Sequence, residues 1–235
     1  MASTSRLLHG HSTPIRIPLD EMALYGDLLV APDSLGIVIF VHGSGSSRFS
    51  PRNRHVAEQL NKHGLATLVL DLLTTEEQRI DSETMQYRFD IPWLAERTQA
   101  VVQWVRGQSE LRQLPIGLFG ASTGAAAAVM TAAAFANQIR AVVSRGGRPD
   151  LAQEVLDRVQ APTLFIVGGH DNVVLELNRK AMQEMNCIKS LKVIPGATHL
   201  FEEPGTLEQV ASAASDWFAK YMQHPQDLQI ASGGR

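Results

Sequence analysis

Short apolar runs alternate with longer amphipathic segments along most of this chain. The runs are rich in β-branched residues and bounded by turn residues, which is typical of buried strands in a parallel sheet. This pattern predicts strands at Gly36–Val41, Ala66–Leu70, Ile116–Phe119, Ala141–Ser144, Pro162–Val167 and Leu191–Pro195. Two earlier segments, Ile15–Pro18 and Met22–Val30, lie close enough in sequence to predict an antiparallel hairpin at one sheet edge.

The segments between these runs carry the signals of helix ends. Ser50 and Pro51 suit the start of one helix, and Gly64 suits its end. Asp90 is a candidate cap for a second helix, whose buried face comprises Ile91, Leu94, Thr98, Val101, Val102 and Val105. Further helices are predicted at Ala125–Ala136, at Asp150–Val159, at Leu175–Met185 and after Thr206, which forms a capping box with Gln209. The polar segment Leu72–Phe89 has no clear period, and we predict a loop there.

The order of these elements defines the expected fold class. Strands and helices alternate, so we expect an α/β fold with a mostly parallel, twisted sheet and helices on both faces. A chain of 235 residues, of which 44% are hydrophobic, fits a single domain over residues 1–235. About twelve residues at each end, namely the polar start and the Gly/Ser-rich end after His224, are expected to fray.

Charge and composition narrow the expected partners and location. Acidic and basic residues are interspersed at a net charge of −3, so neither nucleic acid nor a membrane surface is an expected partner. The single cysteine, Cys187, allows no internal disulfide, and no Cys/His spacing indicates a metal site. The polar N-terminus and the lack of any apolar run long enough to span a bilayer predict a cytoplasmic protein.

The candidate chemistry begins at Gly120-Ala121-Ser122-Thr123-Gly124, between a predicted strand and a predicted helix. Strand, G-x-S-x-G and helix are the parts of a nucleophile elbow, a tight turn that exposes a serine hydroxyl above the sheet. Ser122 is therefore the candidate nucleophile. The alternative is a plain Gly/Ser turn, so the rest of the chain must supply a base, an acid and an oxyanion hole.

Two further candidates for a catalytic triad directly follow predicted strands. His199 is the candidate general base, and Asp171 is the candidate acid that orients it. Because the carboxyl ends of parallel strands meet along one rim of the sheet, both residues are expected to converge with Ser122. Asp150 is the alternative acid, although it also suits the N-cap of its own helix. A structural loop histidine is the alternative role for His199.

The segment His42-Gly43-Ser44-Gly45 is the candidate oxyanion loop. In this hypothesis, the backbone amides of Ser44 and Thr123 donate to the oxygen on which negative charge develops. The same glycine loop, followed by a helix and a second strand, is also a partial dinucleotide fingerprint. Because Arg48 replaces the third glycine and the helix begins only near Pro51, we disfavour nucleotide binding.

Four motifs together resemble the α/β-hydrolase superfamily and, within it, the dienelactone hydrolase-like group. They are His42-Gly43-Ser44-Gly45, Gly120-Ala121-Ser122-Thr123-Gly124, Gly168-Gly169-His170-Asp171 and Pro195-Gly196-Ala197-Thr198-His199, in the Ser, Asp, His order of these enzymes. The resemblance implies an α/β-hydrolase fold without an inserted lid domain and an activity that needs no cofactor. Dienelactone hydrolase uses a cysteine nucleophile, so the serine here favours a serine carboxylesterase.

Candidate substrate-binding residues follow from position alone. Arg48 and Arg145 adjoin strand ends and are the preferred ligands for a substrate carboxylate, with Arg148 as a third candidate. Bracing of loops is the alternative role of these arginines. Tyr87 and Phe89 are candidates for covering the acyl or alcohol pocket.

The sequence therefore predicts a serine hydrolase that cleaves carboxylic esters, or lactones, of small molecules through an acyl-enzyme. An amidase or a thioesterase would use the same triad, and a non-catalytic binding module would share the same fold. We expect a monomer or a homodimer whose partner is a small-molecule ester.

Overall fold

The computed structural model describes residues 10–19 and 21–222, so the expected fraying of the chain ends falls largely outside it. The strands are β1 (Thr13–Leu19), β2 (Met22–Leu29), β3 (Ile37–Val41), β4 (Ala66–Leu70), β5 (Ile116–Ala121), β6 (Ile139–Arg145), β7 (Thr163–Gly168) and β8 (Lys189–Ile194). The helices are α1 (Pro51–Lys62), α2 (Thr75–Thr84), α3 (Ile91–Gly107), α4 (Thr123–Ala134), α5 (Asn172–Glu184) and α6 (Thr206–Tyr221). A 3₁₀ segment spans Pro149–Arg158.

These strands form one sheet in the order β1-β2-β4-β3-β5-β6-β7-β8. The predicted antiparallel hairpin of β1 and β2 is confirmed at the sheet edge, and β2 is also antiparallel to β4. From β4 to β8 all neighbouring strands are parallel. The mostly parallel sheet of an α/β fold is therefore confirmed.

Helices cover both faces of the sheet, which explains the continuous apolar runs in its centre. Every residue of β3, β4, β5 and β7 is buried because side chains on either face meet a helical layer. One layer contains α3, α4 and the 3₁₀ segment, and the other contains α1 and α6. The predicted buried face of α3 is confirmed.

Predicted helix ends are confirmed at two helices. Ser50 caps α1 by accepting from the Asn53 amide, and Asp90 caps α3 by accepting from the Trp93 amide.

Only three residues, 146–148, separate β6 from the 3₁₀ segment, so no lid domain is inserted there. Within the described residues, none of the helices combines the length and the apolar character that crossing a bilayer would demand.

The predicted loop at Leu72–Phe89 is wrong, because α2 forms within it. Thr74 and Glu77 start this helix with a capping box, in which each side chain accepts from the other residue's amide. Apolar periodicity does not reveal α2, since its buried residues are the acidic Glu77 and Asp81. Its Gln78, Asp81 and Ser82 share a pocket with residues 42–46, which directly follow β3.

Two other helix predictions are also wrong in detail. Thr206 does not cap α6 but is its first residue; the left-handed Gly205 precedes it, and the Thr206 hydroxyl donates to the Glu203 carbonyl. The α-helix predicted at Asp150–Val159 is instead the 3₁₀ segment, which is interrupted at Ala152.

Candidate active site

Ser122 occupies a strained turn between β5 and α4. Its backbone has φ 51° and ψ −122°, a conformation that residues other than glycine rarely adopt and that exposes the side chain of a nucleophile elbow. A Cβ at Gly120 would lie 2.4 Å from Cα of Ala125, and a Cβ at Gly124 would lie 2.3 Å from the Val41 carbonyl oxygen. Side chains at these two positions would therefore push α4 away from the sheet.

Three of the predicted site residues meet beside this turn. His199 Nδ1 lies 2.6 Å from Oδ2 of Asp171, and His199 Nε2 lies 3.3 Å from Oγ of Ser122. With Asp171 ionised, Nδ1 carries the hydrogen and donates to the carboxylate, so Nε2 accepts from the serine hydroxyl. The second contact is longer than an ideal hydrogen bond, and such contacts tighten as substrate binds.

The two candidate acids have different partners. Asp171 directly precedes α5 but makes no side-chain bond to cap it, so its carboxylate is available to His199. Asp150 instead accepts from Arg148 Nε at 2.9 Å and from Arg148 Nη2 at 2.7 Å. The predicted N-cap role of Asp150 is wrong, because the 3₁₀ segment already begins at Pro149.

The loop that carries His199 is braced by Glu203, a residue that no sequence motif indicated. Its carboxylate accepts from the Thr198 amide at 3.1 Å and from the Thr198 hydroxyl at 2.6 Å. The bond from the hydroxyl is the main reason that the pKa of Glu203 is lowered. Gly146 lies against the imidazole, since a Cβ there would be 3.4 Å from Cε1 of His199. These contacts restrict the position of the ring.

The candidate oxyanion loop is held by its own histidine. His42 is buried; its Nε2 accepts from the Leu72 amide at 3.0 Å, and its Nδ1 lies 2.9 Å from the Gly43 carbonyl oxygen. Because Nε2 is the acceptor, Nδ1 carries the hydrogen and donates. Burial lowers the pKa of His42, so the ring stays neutral and keeps both bonds.

The two predicted oxyanion donors, Ser44 and Thr123, lie side by side at the elbow. Thr123 is the first residue of α4, so its amide has no acceptor within the helix. The Ser44 amide is already engaged, because it donates to the Thr123 hydroxyl oxygen at 2.8 Å. Both residues thus lie where they were expected, but the amide of Ser44 is hydrogen-bonded to the side chain of Thr123.

A pocket of about 240 Å³ opens beside this loop. Its walls are His42–Ser46 on one side and Leu73, Gln78, Asp81, Ser82, Arg88 and Leu94 on the other. Arg88, which no sequence motif indicated, is held by Asp81, whose Oδ2 accepts from its Nε at 2.6 Å. Burial alone would raise the pKa of Asp81, but the bonds from Arg88 and Tyr87 outweigh it, and the pKa is lowered.

The predicted pocket residue Tyr87 is not among those walls. Its ring stacks on Trp93 with 5.1 Å between centroids. Phe89 is exposed.

A larger groove of about 970 Å³, lined by Trp93 and Trp104 among others, runs between the β1–β2 hairpin and α3 and contains none of the three triad candidates. Among residues 10–19 and 21–222, no three His, Cys, Asp or Glu side chains are grouped to hold a metal ion.

The three arginines predicted near the rim differ in their partners. Arg48 forms an ion pair with Asp71 at 2.5 Å, and Arg148 forms one with Asp150 at 2.7 Å. Arg145, the last residue of β6, is buried; its side chain has no ion pair or hydrogen bond within the described part of the chain, and its Nη1 is unsatisfied. Burial, together with the charge of Arg52, lowers the pKa of Arg145 to about 10.

The order of the strands and the position of the elbow after β5 define the class: the protein is an α/β-hydrolase. More narrowly, the chain belongs to the dienelactone hydrolase family, whose model matches residues 27–226. A dienelactone hydrolase from Anabaena variabilis is 49% identical, with a TM-score of 0.89 over 91% of this chain and 99% of that one. Est1E from Butyrivibrio proteoclasticus shares the fold at 18% identity, with a TM-score of 0.75 over 89% of this chain and 98% of that one.

A protein of Mycobacterium tuberculosis that is provisionally named a phosphoribosyl transferase is also similar. It is 53% identical over 211 residues, which are 90% of this chain and 47% of that protein. The chain therefore spans about half the length of this relative. The family match assigns the matched region to a family of hydrolases.

Proposed function

We propose that the protein is a serine hydrolase that cleaves carboxylic esters, including lactones, of small molecules through an acyl-enzyme. One observation carries the proposal: the contacts that link Ser122 at a strained elbow to His199 and, through it, to Asp171. A nucleophile, a base that takes its proton and an acid that orients the base are what acyl transfer by serine requires.

The reaction has two similar halves. The Ser122 oxygen attacks the ester carbonyl carbon while its proton passes to His199 Nε2, and Asp171 stabilises the imidazolium. Negative charge on the carbonyl oxygen is met by the Thr123 amide at the positive end of α4. The bond to the alcohol then breaks, and the leaving oxygen takes the proton from His199. Water attacks the acyl-enzyme with the same base, which releases the acid and restores Ser122.

Arg145 is the proposed ligand for a free carboxylate on the substrate. It adjoins the elbow, since the Ser122 amide donates to the Arg145 carbonyl at 3.1 Å. A buried cation without an anion is costly, and a substrate carboxylate would supply the missing partner. Arg48 is already paired with Asp71 and would instead brace the oxyanion loop.

The name of the mycobacterial relative belongs to a protein about twice as long, and the proposal concerns only the region matched here. Hydrolysis of amides or thioesters would use the same triad, so substrates of both kinds are included in the test.

The test is hydrolysis of 4-nitrophenyl esters of short and long acids, simple lactones, a thioester and an anilide. We expect ester cleavage by the unaltered protein and none above background by Ser122→Ala. Equal rates in the two proteins, or cleavage of the anilide alone, would reject the proposal. For Arg145, esters matched except for a free carboxylate are compared; equal kcat/KM values would discard its role.

A further inference from the structure

The oxyanion site differs from the pair of amides that such sites ordinarily use. The Ser44 amide does not face open space, because it donates to the Thr123 hydroxyl oxygen at 2.8 Å. The hydroxyl oxygen therefore lies where an incoming carbonyl oxygen would otherwise meet that amide. This leaves the Thr123 amide as the single backbone donor of the predicted pair.

The surroundings of Ser44 and Thr123 place this contact at the reacting centre. A Cβ at Gly43 would lie 3.0 Å from Cβ of Ser122, so the oxyanion loop packs directly against the nucleophile. Thr123 follows Ser122 in the chain and is 5% exposed. The same loop forms one wall of the 240 Å³ pocket, whose walls include Ser44 but neither Ser122 nor Thr123.

The hydroxyl hydrogen of Thr123 has no acceptor in the part of the chain that the structure describes. A hydroxyl that accepts a hydrogen bond is polarised and becomes a better donor in its turn. Donors aimed at developing charge in a dry site contribute strongly to catalysis. The hydroxyl of Thr123 meets the first condition, because it accepts from the Ser44 amide, and its position next to the nucleophile suits it to the second.

We propose that the Thr123 side chain is a catalytic group, whose hydroxyl donates to the oxyanion together with the amide of the same residue. The Ser44 amide then acts through this hydroxyl and is a positioning group, with no direct contact to substrate. The inference rests on the proposed function and assigns a side-chain role within it.

A simpler role for the hydroxyl makes the opposite prediction. If Thr123 only occupied the site and had to move aside for substrate, its truncation in Thr123→Ala would free the Ser44 amide and speed the reaction. If the hydroxyl donates to the oxyanion, its removal slows the reaction. The sign of the change in rate therefore separates the two roles.

The experiment is ester hydrolysis by two variants. Thr123→Ala removes the hydroxyl and clears the space beside the Ser44 amide, and Thr123→Val removes the hydroxyl but keeps the side-chain shape. We expect kcat to fall by about 10²-fold with KM little changed, because the lost bond forms only in the transition state. Thr123→Ser should recover most of the rate. The matched control is Thr131→Val on the same helix, which removes a buried hydroxyl bonded to the Ala95 carbonyl and should leave the rate unchanged.

Affinity for an aryl trifluoromethyl ketone gives a second readout. If Thr123 had only a structural role, this affinity would not fall in parallel with kcat. Serine adds to this ketone to form an oxyanion, so its affinity should fall with kcat in Thr123→Val. If Thr123→Val does not fold, Thr123→Ala alone gives the test. A folded variant with an undiminished or increased kcat, in an enzyme that does cleave esters, would overturn the inference. If the unaltered protein cleaves no ester, the proposed function has failed, and the inference falls with it.

Discussion

Replacing Arg145 with methionine should stabilise the protein. The arginine is buried, its Nη1 has no hydrogen-bond partner among the described residues, and burial lowers its pKa to about 10. Because each pKa unit corresponds to about 1.4 kcal/mol, keeping this guanidinium charged at neutral pH costs about 3 kcal/mol. Methionine is of similar length, uncharged and adaptable in shape, so the free energy of unfolding should rise by about 1–3 kcal/mol in Arg145→Met.

The buried charge of Arg145 also predicts how the stabilisation by Arg145→Met depends on pH. A lowered pKa in the folded state means that the unfolded chain binds more protons above a pH of about 10. The destabilisation by the buried charge is therefore complete at neutral pH and decreases as the pH rises above about 10. The increase in unfolding free energy caused by Arg145→Met should accordingly be smaller in alkaline solution.

The assay is urea unfolding of both proteins at neutral and at alkaline pH. The matched control is Arg148→Met, because Arg148 is paired with Asp150 and its removal should not stabilise the fold. A loss of about 1 kcal/mol or more in Arg145→Met would refute the reasoning, since it would show that the cation is already compensated.

Three other substitutions test the site. Asp171→Asn removes the charge and the preferred tautomer of His199, so kcat for esters should fall by about 10⁴-fold; a fall under about tenfold would place the acid elsewhere. His42→Ala leaves the Leu72 amide without its acceptor, so unfolding free energy should fall by about 1–3 kcal/mol in denaturation and kcat/KM should fall with it. The lowered pKa of Asp81 means that its stabilisation is complete at neutral pH and is lost on acidification. The stability difference between the unaltered protein and Asp81→Asn should therefore narrow as the pH falls through and below the ordinary pKa of an aspartate, and a constant difference would contradict this.

The sheet and the elbow could be predicted because their signals are local. A central strand covered on both faces must be apolar throughout, and the tight turn at Ser122 must have small residues at fixed positions. Once the strands were placed, the shared rim of a parallel sheet was enough to expect that Asp171 and His199 would lie near Ser122. The structure brings these three residues together.

What the sequence did not reveal depends on partners that are distant along the chain. Helix α2 buries acidic rather than apolar residues, and Glu77 is matched by Arg97 at 2.5 Å. The sequence does contain a Thr74-x-x-Glu77 capping signal, but the loop prediction relied on apolar period alone, which this segment lacks. Pattern alone also does not reveal that, among residues 10–19 and 21–222, Arg48 has an ion-pair partner and Arg145 has none.

The most direct measurement of the central claim is covalent labelling with a fluorophosphonate, followed by intact-mass and peptide-mass analysis. The account predicts a single adduct, on Ser122, that forms more slowly in His199→Ala and does not form in Ser122→Ala. An unlabelled native protein, or an adduct that persists in Ser122→Ala, would contradict it.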